Sequence, residues 1–323
     1  MSWWQSIILG IVQGLTEFIP VSSSGHLILT RELIGADIGD FLWFDLLLHI
    51  ATLVAVGIVM WHEIVALFRP RFKVMGYIVI ASIPLALVGF LLSDVIREVF
   101  YYSATYLWIF FLITAILLVI AEMREKRLGP KAFLLDTRSG IKRYFTAIDF
   151  SKPLDSASAD DAQQAVEANA LEHYDDTQSA KIKKFLPDLK FKTIIAMGLM
   201  QMAAAFPGIS RSGSTIFGGV MTRGNRETIA KFSFLMSIPV ILGATMLDAV
   251  ALIWPSSSGA AVEPAAMGWY AYALGMIFAF LFGMLAIKFM LRLIAKADFK
   301  WFSLYLTALS IFCFFFFFLP AVT

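Results

Sequence analysis

The chain has 323 residues, 59% of them hydrophobic and 15% charged, with a formal net charge of +2 and a mean hydropathy of +0.78. Soluble domains carry about 25% charged residues, so this surface holds too little charge to face water. Apolar runs such as Leu42–Met60, Val74–Leu92 and Trp301–Leu319 are long enough to cross the hydrocarbon layer of a bilayer. The composition therefore excludes a water-soluble globular fold. It also offers no basic stripe for nucleic acid.

Taken in chain order, residues 1–121 form an apolar half that opens without a basic cluster, so no cleaved signal peptide is expected. Its first element is Gln13-Gly14-Leu15-Thr16-Glu17-Phe18-Ile19-Pro20-Val21-Ser22-Ser23-Ser24-Gly25-His26. Gln13 and Glu17 are four apart and share one helix face. Pro20 disfavours helix at the residue before it, which ends that helix near Glu17–Ile19 beside a loop of hydroxyls. Both arms of 3–35 are short for a full crossing, and we read the segment as a re-entrant hairpin. An ionisable group at such a place is costly and points to function. Taken singly, Ser22, Ser23 and Ser24 are also good helix N-caps. Spans follow near 42–61, 72–93 and 102–121. In the first of these, Asp45 and His49 lie four apart and read as a mutually bonded pair near the interface.

Residues 122–191 are polar and read as a solvated linker, with a helical stretch near Ala162–Tyr174. The second half, 192–323, repeats the first at an offset of 188: Gln13 falls on Gln201, Ser22 on Ser210, Ser24 on Ser212, Gly25 on Gly213 and Phe44 on Phe232. Its hairpin, 192–222, breaks at Pro207-Gly208 and continues as Ile209-Ser210-Arg211-Ser212-Gly213-Ser214-Thr215. Spans near 231–254, 267–290 and 301–319 complete the chain. The expected architecture is thus all-α and polytopic: an inverted repeat with two re-entrant hairpins and about six full spans. Interrupted segments at matching positions of two halves point to a central site. All of the 26 Lys and Arg except Arg31, Arg97 and Arg211 fall on the linker side. By the positive-inside rule the linker is cytoplasmic and both termini face outward.

The second motif has the makings of an anion site. A helix N-terminus presents free N–H groups and positive dipole, and Arg211 adds a planar guanidinium suited to phosphate oxygens. Its own motif holds no acid, which favours an anion over a salt bridge to Glu17. Together the hairpins supply a carboxylate, an imidazole, hydroxyls and an arginine, an inventory for cleaving a phosphate ester or anhydride. The single cysteine, Cys313, excludes an intrachain disulfide and a thiolate metal cluster.

These two motifs resemble those of the undecaprenyl-diphosphate phosphatases of the bacitracin-resistance type, over roughly 1–121 and 192–319. The resemblance implies a bacterial plasma-membrane enzyme with a divalent-metal requirement and a site open to the outer, periplasmic side. It would hydrolyse undecaprenyl diphosphate to the monophosphate and inorganic phosphate. Carried over residue by residue, the family's functional positions fall on Gln13, Glu17, Ser23, His26, Ser210, Arg211 and Thr215. Position 13 is Gln where Glu is commoner, which leaves Glu17 as the one carboxylate. The expected roles are Glu17 and Gln13 on Mg²⁺ or Ca²⁺, with Arg211, Ser210, Ser212 and Thr215 on the phosphates and Ser22 and Ser24 beside them. Water, His26 and Ser23 stay open as nucleophile. The bilayer and a prenyl diphosphate lipid are the expected partners, and a homodimer is allowed. A lipid-phosphate transporter built on the same repeat is the competing class. A type 2 phosphatidic-acid phosphatase, suggested by Ser24-Gly25-His26, is disfavoured because no Lys precedes position 73.

Overall fold

The computed structural model describes residues 1–36, 38–68, 72–96, 99, 104–128, 190–253, 268–294 and 299–322. One compact unit is built from Met1–Glu122 together with Leu189–Thr323, and Met123–Asp188 form a second. Most of the linker, including the stretch expected to be helical near Ala162–Tyr174, lies outside the described residues. Among the described residues every regular element is a helix.

The first half runs α1 (Trp3–Thr16), α2 (Ser23–Ile34), α3 (Ile38–Val59), α4 (Trp61–Phe68), α5 (Phe72–Ile96) and, after a 3₁₀ turn at Ala104–Tyr106, α6 (Leu107–Leu128). The second half runs α7 (Phe191–Gln201), a 3₁₀ turn at Met202–Ala205, α8 (Arg211–Met221), α9 (Arg226–Ile253), α10 (Trp269–Ile294), α11 (Lys300–Cys313), a π-helical turn at Phe314–Phe318 and α12 (Leu319–Val322). Five helices are long and apolar enough to cross a membrane: Lys73–Leu92, Ala104–Arg124, Arg226–Leu247, Trp269–Leu291 and Lys300–Val322. The sixth expected span corresponds to α3. Its apolar stretch, Trp43–Val59, is shorter and carries Asp45 and His49.

Local signals explain the breaks. Glu17 is the C-cap of α1, and the chain turns through Pro20 before Ser22 caps α2, its side chain accepting from the Gly25 N–H. Gly35, at φ 61°, ends α2 in the left-handed conformation that glycine adopts without a Cβ clash. In the second half Gly208 takes φ 99°, and Ser210 caps α8 by accepting from the Gly213 N–H at 3.0 Å. The two caps are the same device 188 residues apart.

Packing follows a matched pattern. Helix α1 lies on α10, and α7 lies on α5; α10 lies on α3, and α5 on α9; α3 meets α9 directly. Small residues let these backbones touch, as in membrane helix pairs generally. Gly10 abuts the Gly275 carbonyl, a Cβ on Gly14 would sit 2.6 Å from the Ala279 carbonyl, and one on Gly198 would sit 2.7 Å from the Ala81 carbonyl. Leu9, Leu27, Phe44, Leu48, Ala51 and Ala279 form the core around α1 and α3. Large apolar side chains such as Phe90, Leu91, Leu285 and Phe289 point outward, as lipid contact requires. In the phenylalanine run Phe315 and Phe316 are exposed, whereas Phe314 and Phe318 pack on Trp108.

Candidate active site

The two helix breaks meet. Ser212 Oγ, in the first turn of α8, donates to the Ile19 carbonyl in the loop between α1 and α2 at 3.1 Å. A Cβ on Gly25 would lie 2.8 Å from the Gly208 Cα, so only glycine lets α2 approach the second loop this closely. Thr114 of α6 braces that loop: its Oγ1 donates to the Gly208 carbonyl at 3.3 Å and accepts from the Ser210 N–H at 3.1 Å.

At the junction sits Glu17, with 5% of its side chain exposed. Its Oε1 accepts from Arg211 Nη2 at 2.8 Å. Its Oε2 accepts from Ser23 Oγ at 2.5 Å and from Gln13 Nε2 at 3.1 Å, and His49 Nε2 stands 3.9 Å away. Arg211 Nη1 also reaches the Ser237 carbonyl of α9 at 3.4 Å. A guanidinium and a carboxylate that would be costly to bury singly are here buried as a pair. The sequence alone favours an anion as the partner of Arg211; in the structure that partner is Glu17. A contact across 194 residues leaves no trace in local spacing.

Gln13, Ser23 and Arg211 thus each bond Glu17. Ser22, Ser24, Ser210 and Ser212 line the two caps, with Ser22 Oγ and Ser24 Oγ 3.4 Å apart and Ser210 Oγ and Ser212 Oγ 3.2 Å apart. Ser22 holds φ 75°, a conformation that costs a non-glycine residue about 1–3 kcal/mol. Thr215 is fully buried; its Oγ1 lies 2.6 Å from Ser233 Oγ of α9 and donates to the Arg211 carbonyl. It ties α8 to α9. His26 has no bond to Glu17 or Arg211 in the structure: Nδ1 is 2.6 Å from the Ser22 carbonyl and Nε2 2.7 Å from the Tyr305 hydroxyl of α11.

Two contacts were poorly signalled. Asp45 and His49 are mutually paired, Nδ1 to Oδ1 at 3.4 Å, but their spacing gave no sign that His49 Nε2 also faces Glu17 at 3.9 Å. Tyr305 carries no signal at all, since one tyrosine in an apolar helix reads as an interface anchor.

The arrangement suits phosphoryl chemistry. A guanidinium and a serine hydroxyl both bond one carboxylate, and the guanidinium belongs to the first turn of α8, a helix end whose leading N–H groups have no helical carbonyl partner. A family model described as bacitracin resistance protein BacA matches residues 6–148 and 163–312. A protein of Carboxydothermus hydrogenoformans named undecaprenyl-diphosphatase is 34% identical over 96% of both chains. Proteins of the same name from Parabacteroides distasonis and Methanosphaera stadtmanae are each 29% identical, over 94% and 95% of both chains respectively. With both motifs and nearly the whole length matched, the chain belongs to the bacitracin resistance protein BacA family.

Proposed function

We propose that this protein is an undecaprenyl-diphosphate phosphatase, which releases inorganic phosphate and returns the prenyl monophosphate for cell-wall synthesis, with bacitracin resistance as a consequence. The observation that carries the reading is the 2.8 Å bond between Glu17 of the first hairpin and Arg211 of the second. It brings the two motifs to one point. The matched caps at Ser22 and Ser210 and the paired packing of α1 on α10 with α7 on α5 support an inverted repeat of two re-entrant hairpins. On that topology the linker is cytoplasmic and the site opens toward the outer face of the plasma membrane.

The diphosphate enters between the hairpins while the prenyl chain stays in lipid. Arg211 exchanges its carboxylate partner for the phosphate oxygens, which it can grip through two parallel bonds. The hydroxyls of Ser210 and Ser212 and the first-turn N–H groups of α8 add donors. Ser23 Oγ, bonded to Glu17 at 2.5 Å, has the nucleophile–base geometry, and this favours it over His26, which has no bond to Glu17. Ser23 gives its proton to Glu17 and forms a bond to the terminal phosphorus. The bridging P–O bond breaks, and undecaprenyl phosphate leaves with that electron pair. A phosphate leaving group needs no acid. Water then attacks the phosphoserine and gives a proton to His26. The Ser23 Oγ–P bond breaks, and Oγ leaves with that electron pair and takes back its proton from Glu17. Inorganic phosphate departs, and His26 returns its proton to solvent.

The residues present fit a divalent cation such as Mg²⁺ or Ca²⁺. Among the described residues no three His, Cys, Asp or Glu side chains gather, yet hard cations select oxygen, and Mg²⁺ is often held by one carboxylate plus substrate phosphates. Gln13 Oε1 is a buried oxygen without a hydrogen-bond partner, and its own amide nitrogen bonds Glu17. Gln13 and Glu17 would hold the cation, which when bound supplies positive charge to the phosphate oxygens.

Purified protein given undecaprenyl diphosphate in detergent should release phosphate, and Glu17→Ala or Arg211→Ala should release 10²–10³-fold less, the usual order of effect for a charge-stabilising group, taken here as roughly that range. Wild-type protein that carries prenyl phosphate across vesicles without releasing phosphate would replace hydrolysis with transport.

A further inference from the structure

His26 is buried, and each edge of its ring is held from a different helix. Nδ1 lies 2.6 Å from the Ser22 carbonyl. A carbonyl oxygen only accepts, so Nδ1 carries the proton and the neutral ring presents Nε2 as its acceptor. At 2.7 Å from Nε2 sits the Tyr305 hydroxyl, which must then donate. The two rings are also stacked, with centroids 5.7 Å apart and planes 18° from parallel, while Phe111 closes the other side edge-on at 5.3 Å. A ring tied only to Ser22, within its own helix turn, could still pivot about that bond. The second tie comes from α11, 279 residues away.

We propose that Tyr305 is a positioning residue for the hydrolytic half of the reaction: it holds His26 in the Nδ1–H tautomer with Nε2 aimed as the working nitrogen. The O–H donor on Nε2 marks the place that the attacking water takes when the hydroxyl yields it. The inference rests on the reading of His26 as the base for that water. It assigns Tyr305 no part in formation of the phosphoserine.

Tyr305→Phe removes the hydroxyl and keeps the stacked ring, which makes it the natural test. Loss of the outer partner of a functional histidine costs about 10–100-fold in well-studied metal sites, and a fall of roughly that size is expected in kcat, with KM falling alongside so that kcat/KM is kept. The signature lies in the first turnover. Undecaprenyl phosphate should appear in a burst ahead of inorganic phosphate, because only the second step is slowed. Equal slowing of both products, or wild-type kinetics, overturns the proposal. His26→Ala run in parallel separates the two levels. A burst there alongside wild-type behaviour in Tyr305→Phe sinks only the role of Tyr305, whereas full activity in His26→Ala sinks the underlying reading. A side-chain ¹⁵N spectrum of the folded wild-type protein, needing no variant, should show His26 neutral with Nε2 unprotonated. A protonated Nε2 contradicts the assignment.

Discussion

Removing either member of the Glu17–Arg211 pair should destabilise the fold, but unequally. Glu17→Ala leaves Arg211 buried with one described hydrogen bond, to the Ser237 carbonyl at 3.4 Å. Stranding a buried charge costs about 3–5 kcal/mol, and so weak a contact offsets little of it. Arg211→Ala leaves Glu17 with Ser23 at 2.5 Å and Gln13 at 3.1 Å, and with His49 Nε2 at 3.9 Å. A carboxylate so surrounded should lose nearer 1–3 kcal/mol, about the cost of one unmet buried polar group. The double variant removes both charges and should be more stable than Glu17→Ala alone. Coupling between contacting residues of about 0.5–3 kcal/mol is usual. Denaturant titration of the four proteins in one detergent, read by helical ellipticity, measures each corner of the cycle. Strict additivity, or an Arg211→Ala protein weaker than Glu17→Ala, would refute this account of the pair.

Four further outcomes follow from the same geometry. Ser23→Ala should abolish turnover, leaving roughly 10⁻² or less of the rate, while substrate still binds, as checked by retention of labelled undecaprenyl diphosphate on purified protein. Gly14→Ala should weaken the α1–α10 contact by about 1–3 kcal/mol, because the new Cβ would lie 2.6 Å from the Ala279 carbonyl. Gly76→Ala, where nothing lies within 4 Å of the added carbon, should be neutral or gain a few tenths to about 1 kcal/mol, read by the same titration. Excess EDTA should suppress phosphate release, and added Mg²⁺ or Ca²⁺ should restore it; unchanged turnover after exhaustive chelation would remove the cation from Gln13 and Glu17.

Much of the site was readable because its determinants are local. Pro20 and Pro207-Gly208 interrupt helices where the structure breaks them, and Ser22 and Ser210 cap the helices that follow. Gln13 and Glu17 meet because four residues make one helical turn. What spacing cannot convey is which distant group completes each charge. The acid that pairs with Arg211 lies in the other half, and the hydroxyl that pairs with His26 lies on the last long helix. The Asp45–His49 pair was visible as two ionisable groups in an apolar run, but its approach to Glu17 depends on how α3 lies beside α1. For α3 itself, an apolar tally over 42–61 is displaced toward the C-terminus: the helix runs Ile38–Val59, because its first turn holds Gly39 and Asp40, which an apolar tally passes over.

The most direct test is a structure of the Ser23→Ala protein with undecaprenyl diphosphate bound. The terminal phosphate should rest on the Arg211 guanidinium and the first turn of α8, beside residue 23, with the Glu17–Arg211 bond opened. A diphosphate head resting elsewhere, with that bond intact, would contradict this.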